Sequence, residues 1–223
     1  MHPADGRPRA LLLLVSTLTV MAAAPAGAAG ELQIQAADFR VVERESGPVN
    51  YYSVLREGER TFVRSHYTPP LKTVVLGWKT PEHERQAARR LRWSWRAQVL
   101  PIGGDECSEG KGDSAAVVYV TWKATVRYFT LKYVWSTAGT KGRVCKSKRN
   151  PFVAQDTVIL ESGPPLNVWR TVDLDLKSEF RKHFAGGDPD AKVPDFVGIG
   201  LMSDGDQTHS PSSADYGSFE ISP

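Results

Sequence analysis

Cysteine and methionine are scarce in this chain of 223 residues: there are two of the first and three of the second. Two cysteines are too few for a disulfide-dense miniature scaffold. No neighbouring Cys or His completes the four ligands a structural zinc site requires. An excess of charge of one sign is also missing. The 28 basic and 25 acidic residues leave a net charge of +3, too balanced to argue for nucleic acid. The serine-hydrolase elbow, the phosphate loop, the dinucleotide fingerprint and the His-Glu-x-x-His signature are absent, which removes the enzyme classes that depend on them. After residue 24 no apolar run is long enough to cross a bilayer, which takes about 20 residues.

The one long apolar run lies at the N-terminus. Arg7 and Arg9 precede apolar residues 10–24, and Ala26-Gly27-Ala28 supplies small residues before a cleavage point. Ser16, Thr17 and Thr19 interrupt the run. Residues 1–28 therefore read as a cleaved secretion signal rather than an anchor, with the mature chain, 29–223, in the periplasm or secreted. Residues 1–28 hold two arginines and one aspartate, which leaves 26 basic and 24 acidic residues and a net charge of +2. Basic clusters at residues 85–92 and 141–149 are interrupted or flanked by acidic and polar residues. In an exported protein such clusters are solvated loops or contacts for an acidic polymer.

What is present is a series of short β-type runs between turn-rich loops. In the last third these are Thr157-Val-Ile-Leu-Glu161, Trp169-Arg-Thr-Val-Asp-Leu174, Val197-Gly-Ile-Gly-Leu-Met202 and Tyr216-Gly-Ser-Phe-Glu-Ile221. That layout is all-β, a sandwich rather than an α/β nucleotide-binding fold. Upstream, residues 50–55 and 61–65 are predicted strands joined by a turn at Gly58, and 71–78 a third. Segment 91–99 alternates. Leu91, Trp93, Trp95, Ala97 and Val99 share one face, and Arg92, Ser94, Arg96 and Gln98 the other, so both tryptophans are predicted to be core. Short helices are predicted at 81–90, from Pro81, and at 175–184, from the Leu176, Phe180, Phe184 stripe with Asp175 as N-cap. No internal boundary divides the chain, so residues 29–223 are expected to form one antiparallel β-sandwich of eight or more strands.

Segments 115–122 and 130–136 read as a hairpin central in its sheet. Antiparallel partners have a constant sum of residue numbers, and centring the turn on residue 126 makes it 252. Tyr119 then faces Tyr133, and Val117 faces Trp135. Tyr119, Tyr133 and Trp135 share one side, either as core between two sheets or as a platform on which sugar rings stack. Cys107 and Cys145 also sum to 252. They are predicted to meet beyond the open end of the hairpin and form a disulfide.

The best polar constellation is the loop Asp204-Gly-Asp206-Gln-Thr208. Two carboxylates separated by glycine can hold one calcium ion if further oxygens come from Asp105, Glu106, Asp113 or Asp215; otherwise they cap turns. Asp173 and Asp175 have the spacing for an acid/base pair in glycoside hydrolysis. His66 with Arg64 and Tyr67 has the composition of a polysaccharide lyase base and its neutraliser.

The ordered set Leu91-Arg-Trp-Ser-Trp-Arg96, Gly112-Asp-Ser-Ala-Ala-Val-Val-Tyr-Val120, Leu131-Lys-Tyr-Val-Trp135, Trp169, Gly198-Ile-Gly-Leu-Met-Ser-Asp-Gly-Asp-Gln-Thr208 and Ala214-Asp-Tyr-Gly217 resembles the bacterial domain-of-unknown-function family 3047 over about residues 50–221. The resemblance implies an exported protein without an assigned activity. Gln207 stands where the family usually has asparagine, and the two cysteines are not part of its pattern. More distantly, the segment from Trp169 and the terminal Gly-x-Phe-x-Ile strand resemble jelly-roll carbohydrate-binding modules of galactose-binding type. The expected function is therefore non-catalytic binding of a glycan or cell-envelope component. The alternatives are a polysaccharide lyase or glycoside hydrolase, and a structural envelope protein without a small ligand.

Overall fold

The computed structural model describes residues 30–223 apart from residue 44. The expected secretion signal lies outside them. The strands are β1 (Leu32–Ile34), β2 (Arg40–Val41), β3 (Tyr52–Glu57), β4 (Arg60–Tyr67), β5 (Val75–Lys79), β6 (Arg90–Val99), β7 (Ala116–Ala124), β8 (Arg127–Ser136), β9 (Val144–Arg149), β10 (Val153–Ser162), β11 (Arg170–Asp175), β12 (Asp195–Met202) and β13 (Ser212–Ser222). One α-helix, α1 (Leu176–Phe184), follows β11. No helix among the described residues is long and apolar enough to cross a membrane.

The strands form two sheets that face each other across one core, the β-sandwich expected of the sequence. The six-stranded sheet has the order β11-β6-β13-β4-β3, with β1 also on β13; the seven-stranded sheet runs β2-β5-β12-β7-β8-β10-β9. The expectation of wholly antiparallel pairing needs one correction, because β8 and β10 run parallel. The chain leaves β8, runs back along the sheet edge as β9, and returns as β10 into the gap between them.

The alternation in β6 works as expected on its inner face. Leu91, Trp93, Trp95 and Ala97 are fully buried, and only Val99 emerges as the strand ends. On the opposite face Ser94 and Arg96 are buried as well. That face is not simply solvated: Trp169, from the segment before β11, lies over Gly217 there. The Arg96 guanidinium stacks 4.7 Å from the centre of the Trp169 ring.

The hairpin β7–β8 forms where predicted, but one residue out of register. Val118 pairs with Tyr133 and Ala116 with Trp135, so partners sum to 251 rather than 252. A slip of one residue moves side chains to the other face. Tyr133 and Trp135 point into the sandwich, and Tyr119 points out of it. The expected three-ring face is therefore divided. The reason lies in packing, since Trp135 meets Trp95 at 6.0 Å between ring centres and Tyr133 meets Trp93 at 6.0 Å. Two rings from β8 thus complete the layer begun by two from β6.

Cys107 and Cys145 form the predicted disulfide, with Cα atoms 4.7 Å apart. The route differs from the expected one. Cys145 lies in β9, outside β10, and the bridge crosses the outer face of the seven-stranded sheet. There it packs with Val117, Val134, Ile159 and Met202. The helix at 175–184 is also where predicted, with the Asp175 carboxylate accepting the Ser178 N–H at 2.8 Å. Leu176 and Phe180 are its buried residues, and Phe180 and Phe184 both pack on Trp122 and Phe129. The expected helix at 81–90 is only a 3-10 turn at Glu82–Glu84 before the chain enters β6.

Two consequences are measurable. Trp93→Ala removes a fully buried ring that contacts Trp95, Tyr133 and Phe219. It is expected to cost about 3–5 kcal/mol in chemical denaturation. The disulfide closes a loop of 38 residues. Its replacement by Cys107→Ser and Cys145→Ser is expected to cost about 3–4 kcal/mol, read by the same method, and non-reducing digestion should yield the linked peptides.

Candidate functional site

The loop between β12 and β13 is pinned before it reaches its two aspartates. Tyr51 Oη donates to the Ser203 carbonyl at 2.7 Å, and the Ser203 N–H donates to Tyr52 Oη at 3.1 Å. The Ser203 hydroxyl meets Tyr216 Oη at 2.9 Å, and Tyr216 Oη accepts the Val117 N–H at 3.2 Å. These bonds tie β7, β12 and β13 together across the sandwich. Burial pushes the Tyr52 and Tyr216 phenols well above their usual range, so they remain neutral hydroxyls. Further along, the Ser210 N–H donates to the Gly205 carbonyl at 3.0 Å. A Cβ at residue 205 would overlap the Ser210 carbonyl oxygen, so this closure needs glycine.

The pinned loop gathers carboxylates. Asp204 is buried and accepts the Ser114 N–H at 3.0 Å. Asp113, fully buried, accepts the Thr208 N–H and hydroxyl, each at 2.7 Å, and the Gln207 N–H at 3.4 Å. Asp206 is exposed and accepts the Thr73 hydroxyl at 3.3 Å. Oxygens of all three lie within 4.8 Å of one another. Lys132 is the neighbouring cation; its Nζ donates to the Gly112 carbonyl at 3.3 Å. Burial pushes Asp204 up to about 7 against the pull of Lys132 and the Ser114 N–H, and Asp113 and Asp206 add to the rise. Burial works against the Lys132 charge too, but Tyr119, Asp204, Glu106 and Asp113 together hold its pKa above the ordinary value.

Of the four further oxygen donors expected for calcium, only Asp113 joins Asp204 and Asp206. Glu106 is buried and takes the Ser114 and Ser136 hydroxyls. Asp105 takes the Ser108 hydroxyl at 2.6 Å and the Cys107 N–H at 3.0 Å. Asp215 belongs to the outer face of the other sheet. Calcium takes about six to eight oxygens, and the oxygens of Asp113 already accept from Thr208 and Gln207. What the cluster does on this geometry is latch two loops, 101–114 and 203–211, through carboxylates that accept backbone N–H groups. Sequence reasoning missed Asp113 as the centre of the latch and Lys132 as its cation. Nothing local marks either residue, because β7, β8 and β12 must be side by side before they meet.

The acid/base candidates are separately engaged. Asp173 is 2.8 Å from Arg90, and Asp175 caps α1 and is 3.1 Å from Arg89. His66 is exposed. Arg64, on the same face, is bound to Asp215 by two bonds of 2.6 and 2.7 Å. Tyr67 points to the opposite side, where it is buried and donates to the Leu71 carbonyl at 2.9 Å. Asp173 and Asp175 stay on one face of β11, each held by an arginine, whereas the His66, Arg64, Tyr67 trio is divided between the two sides of β4.

The other feature is the outer face of the seven-stranded sheet. Register places Lys79, Gly198, Thr121, Thr130, Gln155 and Lys148 in one row across six strands. The next row holds Arg40, Gly77, Gly200, Tyr119, Lys132 and Thr157. A Cβ on Gly200 would lie 3.1 Å from the Tyr119 ring, so the ring rests on the bare glycine backbone. The row beyond, from Val75 to Ile159, is apolar and is packed under the disulfide. Of the expected ligand residues, Tyr119 is thus at the margin of the open face and Asp204 and Asp206 are in the adjoining loop. Tyr133 and Trp135 are in the core, fully buried.

Asp204 gives the latch a pH dependence. Its pKa is raised in the fold from 3.8 to about 7, so the folded chain holds a proton that the unfolded chain has released in between. Stability from this group is full below about pH 4 and is lost as pH rises towards 7, by roughly a few kcal/mol. Asp204→Asn, which keeps an oxygen for the Ser114 N–H, is expected to flatten this fall. The variant should gain in denaturation midpoint over the parent between pH 5 and pH 8, by an amount that grows with pH.

In solved structures the chain is similar to the family 11 carbohydrate-binding module from Clostridium thermocellum in complex with a mixed-linked tetrasaccharide. The identity is 8%, covering 87% of this chain and 96% of that one, with a TM-score of 0.43. It is also similar to the xyloglucanase domain of NopAA from Sinorhizobium fredii in complex with cellobiose, at 13% identity, 87% and 97% coverage and a TM-score of 0.42. A third is the family 12 xyloglucanase from Bacillus licheniformis, at 8% identity, 88% and 97% coverage and a TM-score of 0.42. No curated protein matches the chain. The profile of the family described as protein of unknown function DUF3047 matches residues 45–220, and the chain belongs to that family.

Proposed function

We propose that the protein is a non-catalytic binding protein for a glycan or cell-envelope component, held on the open face of the seven-stranded sheet. One observation carries the reading. Thr121, Thr130 and Gln155 are adjacent in one row across β7, β8 and β10, half-buried, and on the side of the sheet turned away from the core. The two hydroxyls bond each other at 3.2 Å, which leaves one hydroxyl proton, their remaining lone pairs and the Gln155 amide as donors and acceptors for a ligand made of repeated hydroxyls. The Tyr119 ring lies one row away on the same face.

The hydrolase and lyase readings lack a comparable support. A cavity of about 420 Å³ beside β1 has Glu59 as its one lining carboxylate, and a cavity of about 730 Å³ beside α1 has Asp175. Paired carboxylates in one groove are what glycoside hydrolysis needs. Export to the periplasm or beyond is part of the proposal. It rests on residues 1–28 and agrees with the disulfide, which persists in an oxidising compartment. N-terminal sequencing of the protein recovered from cells should begin near residue 29.

The binding reading is tested by screening immobilised polysaccharides with the purified protein. Retention on at least one glycan is expected, weakened about tenfold or more by combined Thr130→Ala and Gln155→Ala, a loss of roughly 1.4 kcal/mol or more. Retention that survives both substitutions would move the site off this face.

A further inference from the structure

We propose that the polymer bound on this face is acidic, a glycan bearing carboxylate or sulfate groups along its length. The inference rests on the binding reading above and narrows its ligand. The row that carries Thr121, Thr130 and Gln155 begins with Lys79 and ends with Lys148. Lys123 stands one row away on the same face, its ammonium 5.2 Å from the centre of the Tyr128 ring. All three lysines are exposed. None takes part in an ion pair among the described residues.

The sign of the two full rows is uniform, while in the row of Lys123 a carboxylate, Asp195, stands opposite that lysine and takes the Gln86 amide. The two rows contain Lys79, Lys148, Arg40 and Lys132 and no carboxylate. The Lys132 charge is answered by the buried latch beside it, but those of Lys79, Lys123 and Lys148 are left facing solvent. On a chain of net charge near zero, a run of cations of this kind needs a reason. The aromatic alternative is weak here, because Tyr133 and Trp135 are committed to the core. A neutral glycan would find few rings on which to stack.

The spacing selects a polymer over a small anion. Lys79 and Lys148 are separated by five strand intervals of about 4.8 Å, or roughly 24 Å. That exceeds the screening length of about 10 Å at 0.1 M salt, so the two ends attract separate charges. A single uronate or sulfate ion reaches one end only. A chain of several sugars laid along the row reaches both while its hydroxyls meet Thr121, Thr130 and Gln155.

The experiment compares polygalacturonate with neutral galactan, and dextran sulfate with dextran, by affinity electrophoresis and calorimetry. The first pair reads carboxylate and the second sulfate. Binding to at least one acidic member is expected, about tenfold or more tighter than to its neutral counterpart and weakened by salt. Combined Lys79→Glu, Lys123→Glu and Lys148→Glu should lower that binding at least tenfold. The same three-lysine reversal at exposed Lys72, Lys182 and Lys192 should leave it within about twofold, which separates the row from mere net charge. Unchanged thermal melting of both variants certifies the fold. Neutral polymers bound as tightly as acidic ones, with loss only on Thr130→Ala and Gln155→Ala, would overturn the acidic ligand and leave the binding reading standing. Equal loss in both reversal variants would also overturn it. Retention of no polymer at all would sink both.

Discussion

The contact that organises this protein is the layer of four rings between the sheets, Trp93 and Trp95 from β6 against Tyr133 and Trp135 from β8. Each of these side chains is essentially without solvent exposure, and burying a ring of this size contributes several kcal/mol. The layer fixes the parity of β8. Once Tyr133 and Trp135 point inward, Thr130, Lys132 and Val134 must point outward, because successive side chains alternate. β7 and β10 are in register with β8, so their outward residues follow. The composition of the open face is thus set by packing on the other side of the sheet.

This is also where the sequence was legible and where it was not. Alternation alone placed Leu91, Trp93 and Trp95 inside, because one strand with a strong pattern needs no partner to be read. Asp175 as a helix cap and the Cys107–Cys145 pair were legible for similar reasons, one local and one arithmetical. The hairpin register was not. In β7 and the inner end of β8, apolar residues occupy both faces, so the pattern does not choose between sums of 251 and 252. The difference is decided by Trp95 and Trp93, some 40 residues away in sequence. The disulfide formed in spite of the slip, since it bridges β9 and the loop before β7 rather than extending the hairpin.

The latch at the loop ends shows the same dependence on distant residues. Asp204 and Asp206 stand out in the sequence because glycine separates them. Their partners do not, since Asp113 and Lys132 are ordinary residues until β7, β8 and β12 are side by side. The tyrosine bonds to Ser203 explain why the cluster can bury carboxylates at all. A loop held at Ser203 by Tyr51, Tyr52 and Tyr216 cannot swing out to hydrate Asp204. The charge is instead penalised, and its pKa rises.

A sandwich has two outer faces, and here they are not equivalent. On the six-stranded sheet, Asp215 is fully buried beneath Arg64, Arg96 and Gln98, with bonds of 2.6 to 2.8 Å to each. Arg96 also binds Glu57 at 2.7 Å, and Arg60 lies 4.4 Å over the Trp169 ring. These groups satisfy one another. A ligand arriving there would have to break charge-assisted bonds before it made any, and a buried carboxylate stripped of one arginine is costly. On the seven-stranded sheet, Thr121, Thr130 and Gln155 are half-buried and flanked by lysines outside any described ion pair. The one bond among them is between the Thr121 and Thr130 hydroxyls, at 3.2 Å, and a polar ligand there breaks no charge-assisted bond. The asymmetry between a face whose charges are spent internally and one whose charges point outward is the physical ground for placing recognition on the second.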